Sequence, residues 1–255
     1  MELIFRAAAR NYSLDDSSAI PTMINKLGNP PAKRPLKNGL ISLSFDDGWR
    51  SVYDNAFPVL KRAGLAGTFY IVTGYLDSEQ LPLYLNFDHV RELYDAQHEI
   101  GCHTVSHRHL PQEPDALVES EIRCSRHWLL KRGIDVKTFA YPFGEFDERI
   151  VTAVKGAGFI AARSIIDGFN NYSTNPLLLE TKAVQVHTTV SDVRDWIQYA
   201  EKQRVWLILT FHQIDEEGRS WSTKPQTFVE IVKEVQESGL ATVTVAEGAE
   251  WVYAA

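Results

Sequence analysis

The sequence predicts an α/β protein in which seven or eight strands and their connecting helices form a distorted (β/α) barrel. Short runs of β-forming residues alternate with amphipathic helical stretches from residue 40 onwards, which is typical of β/α units. Several predicted strands are apolar on both faces, as a parallel sheet covered by helices requires. About eight such units favour a barrel over a doubly wound sheet. No glycine-rich phosphate-binding motif follows the first predicted strand, which weakens a nucleotide-binding alternative.

The predicted elements begin after a polar N-terminal segment. Residues 1–38 contain four prolines and show no sustained hydrophobic period, so we expect an N-terminal arm packed on a barrel of residues 39–255. The predicted strands are residues 40–45, 68–72, 99–103, 138–141, 159–163, 183–187, 205–211 and 241–243. The predicted helices are residues 52–63, 88–96, 115–131, 147–157, 192–201 and 226–237.

The composition is that of one ordinary folded domain, with 255 residues, 44% hydrophobic and 23% charged. A net charge of −7 without a basic cluster argues against a nucleic-acid or anionic-membrane partner. No apolar stretch approaches the roughly 20 residues of a membrane span. The start of the chain lacks a basic segment followed by an apolar one. We therefore expect a cytoplasmic protein or a trimmed form of a secreted or cell-envelope protein. The sequence does not indicate its oligomeric state.

Polar residues of compatible chemistry follow the predicted strands at their carboxyl ends, where β/α barrels carry their active sites. They are Asp46 and Asp47 after the first strand, His103 and His107 after the third, the turn at residues 141–144 after the fourth, Arg163 at the end of the fifth and His212 after the seventh. If the strands form one barrel, these side chains share one pocket.

Asp46 and Asp47 need a cation or strong hydrogen-bond donors, because adjacent carboxylates repel each other away from water. His103 and His107 are four residues apart, so both can reach one metal if the segment turns helically. With Asp47 they offer two nitrogens and one oxygen, the usual ligands of a catalytic zinc site with an open position. The alternatives are an Asx-type turn at residues 46–48 and an incidental pair in a chain with eight histidines.

Four short motifs carry a family resemblance. They are Ser-Phe-Asp-Asp-Gly at 44–48, His-Thr-Val-Ser-His at 103–107, Tyr-Pro-Phe-Gly at 141–144 and Leu-Thr-Phe-His at 209–212. In this order they resemble the motifs of the polysaccharide deacetylases, the family 4 carbohydrate esterases, also described by the NodB homology domain. The resemblance covers roughly residues 40–250. It implies a metal-dependent hydrolase that removes acetyl groups from sugars, most often from N-acetylglucosamine units.

The resemblance also implies roles for individual residues. The implied metal ligands are Asp47, His103 and His107, and the implied metal is one divalent ion, zinc first, with cobalt or nickel as alternatives. Asp46 is the implied catalytic base, His212 the general acid and the backbone N–H of Phe143 an oxyanion donor. Amide hydrolysis needs all three functions. The role of His212 requires a pKa that keeps it partly protonated near neutrality.

Two family features are missing or displaced in this chain. Many members carry an arginine two residues before the proline of the third motif, where it orients the catalytic aspartate, but Ala140 stands there. We expect Arg163 to supply that charge from another direction, the alternative being a pair with a surface acid. Asp195-Trp196 matches the fourth family motif in composition. It lies in a stretch that predicts a helix, so we expect it outside the site.

The remaining expectations concern the substrate. Trp49, Tyr141 and Trp221 lie in or near the inferred loops, where aromatic faces suit sugar rings, although ordinary packing is the alternative for each. Leu209 is expected to line the acetyl pocket. The alternatives to a carbohydrate N-deacetylase are an acetylxylan-type esterase or another C–N hydrolase on the same barrel, and a catalytically lapsed carbohydrate-binding domain.

Overall fold

A computed structural model describes residues 36–78 and 82–253 of the chain. Over these residues it contains one sheet of eight parallel strands. The strands are β1 (Leu40–Phe45), β2 (Thr68–Ile71), β3 (Glu99–Cys102), β4 (Thr138–Ala140), β5 (Ala161–Asp167), β6 (Leu179–Ala183), β7 (Trp206–Phe211) and β8 (Ala241–Thr242). The proposed arm falls almost entirely outside the described residues.

The sheet closes on itself through β1. This strand pairs with β7 from Leu40↔Trp206 to Phe45↔Phe211, and its other edge pairs with β2 at Ser44↔Thr68 and Phe45↔Phe69. Seven described strands therefore form a closed parallel barrel. β8 pairs with Leu40 and Ile41 on the edge of β1 that β2 leaves free, and this split distorts the barrel. The predicted distorted (β/α) barrel is confirmed.

The helices cover the outside and one end of the barrel. Across the described part of the chain they are α1 (Phe57–Ala63), α2 (Phe87–Asp95), α3 (Asp115–Leu130), α4 (Glu148–Gly156), α5 (Val190–Gln203), α6 (Pro225–Glu237) and α7 (Val245–Tyr253). A π-helical turn, Val52–Ala56, precedes α1. None of these described helices has the length and apolar character needed to cross a membrane.

Helix α7 is absent from the sequence prediction. Its first N–H groups, from Val245 and Ala246, donate to Thr68 Oγ1 and Glu99 Oε2 at the start of β2 and β3. Gly248 lies against the Trp206 ring, where a Cβ atom would come within 2.4 Å. The helix therefore covers the amino-terminal end of the barrel, opposite the strand ends that carry the predicted site. Its exposed residues, Glu247, Glu250 and Trp251, share one face and the rest are buried, so the helix is amphipathic and sequence analysis missed its period.

Alternate residues of the strands face the barrel interior and the helices. Leu209 and its odd-numbered neighbours in β1 and β7 belong to the helix-side core, whereas the even-numbered apolar residues pack with α7. The interior also holds buried hydroxyls: Ser44 Oγ lies 3.0 Å from Thr210 Oγ1, which lies 2.6 Å from Thr181 Oγ1. The barrel interior is therefore partly polar below the predicted site.

Two predicted strands need correction. The sixth is Leu179–Ala183 and not residues 183–187, because the chain turns after Val184, where the Thr188 N–H donates to the Gln185 carbonyl. The fifth is Ala161–Asp167 and not residues 159–163. Arg163 therefore lies within β5 and does not close it. A register irregularity between Arg163 and Asp167 lengthens this strand relative to β6.

Candidate active site

Three potential metal ligands meet at the carboxyl ends of β1 and β3. Asp47 Oδ1 lies 3.4 Å from His103 Nε2 and 3.2 Å from His107 Nε2. One ligand atom from each residue lies within 4.8 Å of the others. The structure thus brings together the three residues expected to bind the metal.

Left-handed backbone conformations give these loops their shape. Asp47 has φ 69°, Thr104 has φ 68° and His107 has φ 54°, a region that residues other than glycine rarely adopt. Gly48 continues the first turn at φ 73°, a conformation that glycine adopts without strain. Such strained residues cluster at functional sites, where surrounding contacts hold them. The Thr104 side chain supplies one such contact by accepting the His107 N–H at 3.0 Å.

Neighbouring groups orient the ligands. His103 Nδ1 lies 2.8 Å from the Ala140 carbonyl oxygen, so Nδ1 carries a proton and Nε2, the nitrogen nearer Asp47, is the one that can bind a metal. The Trp49 indole N–H donates to Asp47 Oδ2 at 2.9 Å. Burial raises the pKa of Asp47, but hydrogen bonds from His103 and His107 outweigh it and hold that pKa well below its ordinary value. Asp47 is therefore ionised at neutral pH.

Asp46 points into the barrel and pairs with Arg163. Arg163 Nη2 donates to Asp46 Oδ2, and the two side chains are 0% and 4% exposed. The guanidinium also lies 5.3 Å from the centre of the Tyr70 ring. Asp46 Oδ1 is buried without a hydrogen-bond partner among the described residues. Arg163 thus contacts the expected base from β5. Position 140, where the family resemblance would place an arginine, carries an uncharged alanine.

His212 also lies beside Asp46. Its Nε2 atom is 3.9 Å from Asp46 Oδ2, and its ring centre is 4.8 Å from that of Trp221. In the described part of the chain no group bonds to the buried Nδ1 atom. Burial lowers the pKa of His212, opposed by the charges of Asp47 and Asp46. Burial thus acts against the protonated form that a general acid requires, and the two carboxylates act in favour of it.

Phe143 forms an exposed edge of the site. It adopts φ 56° in the turn after β4, and its side chain is 42% exposed. Its ring stacks on His109 at 3.8 Å and meets the His107 ring at 4.4 Å. His109 Nδ1 lies 2.9 Å from a Glu145 oxygen. These contacts place the turn beside the metal-ligand cluster.

Tyr141 and Leu209, both expected to contact substrate, are buried away from the site. Tyr141 is 1% exposed, and its hydroxyl donates to the Leu177 carbonyl at 2.9 Å. Leu209 is fully buried on the helix side of β7, because alternation along the strand turns Thr210 and His212 inward instead. Trp49 and Trp221 do lie at the site. Asp195-Trp196 lies on α5, as the helical prediction had it.

Sequence analysis missed Glu121 and Tyr84. Tyr84 stacks on Trp49 with ring centres 4.4 Å apart. Glu121 lies on the buried face of α3 with Val118 and Ile122, and its carboxylate reaches the loop that carries His107. A carboxylate in the apolar stripe of a helix was the available signal, because such a group needs buried partners.

A sequence model of polysaccharide deacetylases matches residues 33–162, just over half of the chain. The chain belongs to the polysaccharide deacetylase family. It is similar to the poly-β-1,6-N-acetyl-D-glucosamine N-deacetylase of Staphylococcus aureus, with 24% identity over 163 residues that cover 56% of this chain and 55% of the relative. The chain therefore spans about half the length of the curated relatives of this name.

Solved structures of similar proteins share the fold. A carbohydrate esterase domain of a multidomain xylanase, from the hindgut metagenome of Trinervitermes trinervoides, is 20% identical with a TM-score of 0.58, covering 83% of this chain and 89% of that domain. A polysaccharide deacetylase of Bacillus cereus is 27% identical with a TM-score of 0.55, covering 60% of this chain and 50% of the other. The barrel of this chain thus has the same fold as the barrels of these solved structures.

Proposed function

We propose that this chain is a metal-dependent hydrolase that removes acetyl groups from N-acetylated sugars, in glycans of the chitin, poly-N-acetylglucosamine or peptidoglycan type. The observation that carries the proposal is the convergence of Asp47, His103 and His107 beside the buried Asp46–Arg163 pair. Membership of the polysaccharide deacetylase family and similarity to a poly-N-acetylglucosamine deacetylase support it.

The residues present fit one divalent metal, zinc first, with cobalt or nickel as alternatives. Asp47 would bind through a carboxylate oxygen, and His103 and His107 through Nε2, a donor set suited to catalytic zinc. The Ala140 carbonyl holds His103 in the tautomer that leaves Nε2 available. A metal bound there supplies Lewis-acid activation of water and of the acyl carbonyl.

Asp46 would accept the proton of the attacking water. Arg163 occupies Oδ2 of this carboxylate, whereas Oδ1 has no partner in the described residues. The free oxygen is therefore the atom available to take the proton, and the ion pair fixes its direction. A general base must lie within hydrogen-bonding reach of its proton, so this fixed direction contributes to catalysis.

His212 and Phe143 would serve the other two requirements of amide hydrolysis. His212, next to Asp46, would donate a proton to the leaving nitrogen, and the Phe143 N–H would donate to the oxygen that becomes negative. Trp221, exposed by 37% beside His212, would stack on a sugar ring. Trp49 would act mainly through its hydrogen bond to Asp47.

The test is acetate release by metal-reconstituted protein. The substrates are a chitin-type oligomer, a β-1,6-linked N-acetylglucosamine oligomer, a peptidoglycan fragment, an acetylated xylan and a cyclic ureide, the last followed by ring opening. We expect acetate from at least one N-acetylated glycan and a loss of at least about 100-fold in Asp46→Asn. Asp195→Asn, on the exposed face of α5, is the matched control and should retain activity.

Other outcomes identify the alternatives. Acetate from xylan alone would identify an esterase, and ring opening of the ureide alone would identify another C–N hydrolase. Saccharide binding without acetate release, in folded protein loaded with zinc or cobalt, would overturn the proposal and indicate a lapsed enzyme.

A further inference from the structure

We propose that Glu121 is a positioning residue for the metal site: it holds the loop at residues 104–107 in the conformation that presents His107 to the metal, without binding metal or substrate itself. The inference deepens the proposed function and rests on its metal dependence. The juxtaposition of a buried carboxylate with the ligand loop carries it.

The Glu121 carboxylate accepts three hydrogen bonds from the loop. Oε2 accepts the N–H groups of Val105 at 2.9 Å and Ser106 at 2.8 Å, and Oε1 accepts the Ser106 hydroxyl at 2.6 Å. The side chain is 6% exposed, and the exposed Arg108 is 3.8 Å away. Loop donors therefore replace most of the hydration that this carboxylate loses on burial.

The opposite side of the loop is held by the segment that follows β2. Thr73 N–H donates to the Thr104 carbonyl at 3.1 Å, and Gly74 N–H donates to the Val105 carbonyl at 2.8 Å. A Cβ atom on Gly74 would come within 2.4 Å of that carbonyl oxygen, so glycine permits the approach. Glu121 receives the loop's N–H groups while residues 73 and 74 bind its carbonyl groups, and the loop is fixed between two elements.

The conformation in which the loop is held is unfavourable for its backbone. Thr104 and His107, on either side of the two N–H donors, both have positive φ values, 68° and 54°. Relaxing either residue would move the His107 ring relative to Asp47, whose carboxylate oxygen lies 3.2 Å from Nε2. Metal affinity depends on such outer contacts, and their removal typically lowers it about 10–100-fold.

Helix packing does not explain a carboxylate at this position. Residue 121 shares the buried face of α3 with Val118, Ile122 and Leu129, and an apolar side chain would suit that face better. The loop N–H groups are the feature that an apolar residue could not satisfy.

Three variants separate positioning from packing. Glu121→Gln keeps the shape, and its carbonyl can accept both N–H groups while its amide faces the Ser106 oxygen. Glu121→Asp keeps the charge but shortens the reach by one methylene. Glu121→Leu removes all three hydrogen bonds. Glu119→Leu is the matched control, because Glu119 is exposed on the same helix and pairs with Arg123.

The measurements are the zinc dissociation constant by chelator competition, the visible spectrum of the cobalt-loaded protein, and the melting curve of the metal-free protein. We expect zinc to bind about 10–100-fold more weakly to Glu121→Asp and Glu121→Leu, with a changed cobalt spectrum. Glu121→Gln should stay within about threefold of wild type, and Glu119→Leu should be unchanged.

Unchanged zinc affinity and cobalt spectrum in folded Glu121→Asp would overturn the role of Glu121, even if Glu121→Leu fails to fold. Wild-type protein that binds zinc but releases no acetate would overturn the proposed activity and leave the comparison of variants intact. Wild-type protein that binds neither metal would overturn both.

Discussion

Replacing Asp46 by asparagine should cost stability as well as activity, because it leaves Arg163 charged and unpaired inside the barrel. Both side chains are buried, at 4% and 0% exposure. Removing one partner of a buried pair costs about 3–5 kcal/mol, since the remaining charge loses its compensation. For a domain of this size that lowers the melting temperature by roughly 6–20 °C.

A double-mutant cycle tests this reasoning. The four proteins are wild type, Asp46→Asn, Arg163→Met and the double variant, unfolded in urea at pH 7. We expect each single variant to lose about 3–5 kcal/mol, and the double variant to lose clearly less than the sum, because no unpaired charge remains. Since a domain has about 5–15 kcal/mol in total, Asp46→Asn should still fold at 20 °C.

Activity separates the two contributions. Asp46→Asn and the double variant should both lose acetate release by about 100-fold or more, as expected when a general base is removed. A double variant that regains stability but not activity would show that Asp46 acts as the base and that the ion pair balances the two buried charges. Losses below about 1 kcal/mol in both single variants, adding without coupling, would refute the reasoning.

Three further predictions concern burial, metal and pH. Leu209→Ala should cost about 2–5 kcal/mol in urea unfolding with little change in KM, because the side chain faces the helices; a raised KM at unchanged stability would contradict this. Chelator should abolish acetate release and zinc restore it, and zinc at 100 times its Kd should stabilise the fold by about 2.7 kcal/mol; an unchanged melting temperature would argue against binding. Burial lowers the pKa of His98 to about 4 from 6.5, so the unfolded chain takes up the proton first. About 3 kcal/mol of stability, present above pH 6.5, should be lost as the pH falls toward 4, and His98→Gln should flatten this slope.

Much of the fold and part of the site follow from local patterns. The apolar run of β1 and the alternation of strands and helices predict a covered parallel sheet, and the carboxyl ends of its strands collect Asp46, His103 and His212. The alternation of side chains within a strand could also have been used to predict which residues of β7 face the barrel interior. With His212 facing inward, Thr210 must face inward and Leu209 outward, so the position of Leu209 could have been predicted.

Other features depend on contacts between distant segments. Arg163 reaches Asp46 across 117 positions of sequence, and only the closure of the barrel brings β5 opposite β1. The sequence motif at residues 103–107 shows two histidines, but not the carboxylate of Glu121 that receives the intervening N–H groups. By contrast, helix α7 carries a helical period in its own sequence, with Glu247, Glu250 and Trp251 exposed on one face, and this local signal was not used.

The site places residues with unfavourable backbone conformations where the chemistry needs them. Asp47, His107 and Phe143 all have positive φ values, and each such residue costs on the order of 1 kcal/mol or more. Two of them have a compensating neighbour nearby: Trp49 donates to Asp47, and the His109 ring stacks on Phe143. These neighbours lie within a few residues or in the next loop, so they are local to the motifs. The loop that carries His107 is held from α3, and a contact of that range ties the geometry of the metal site to the packing of the whole barrel.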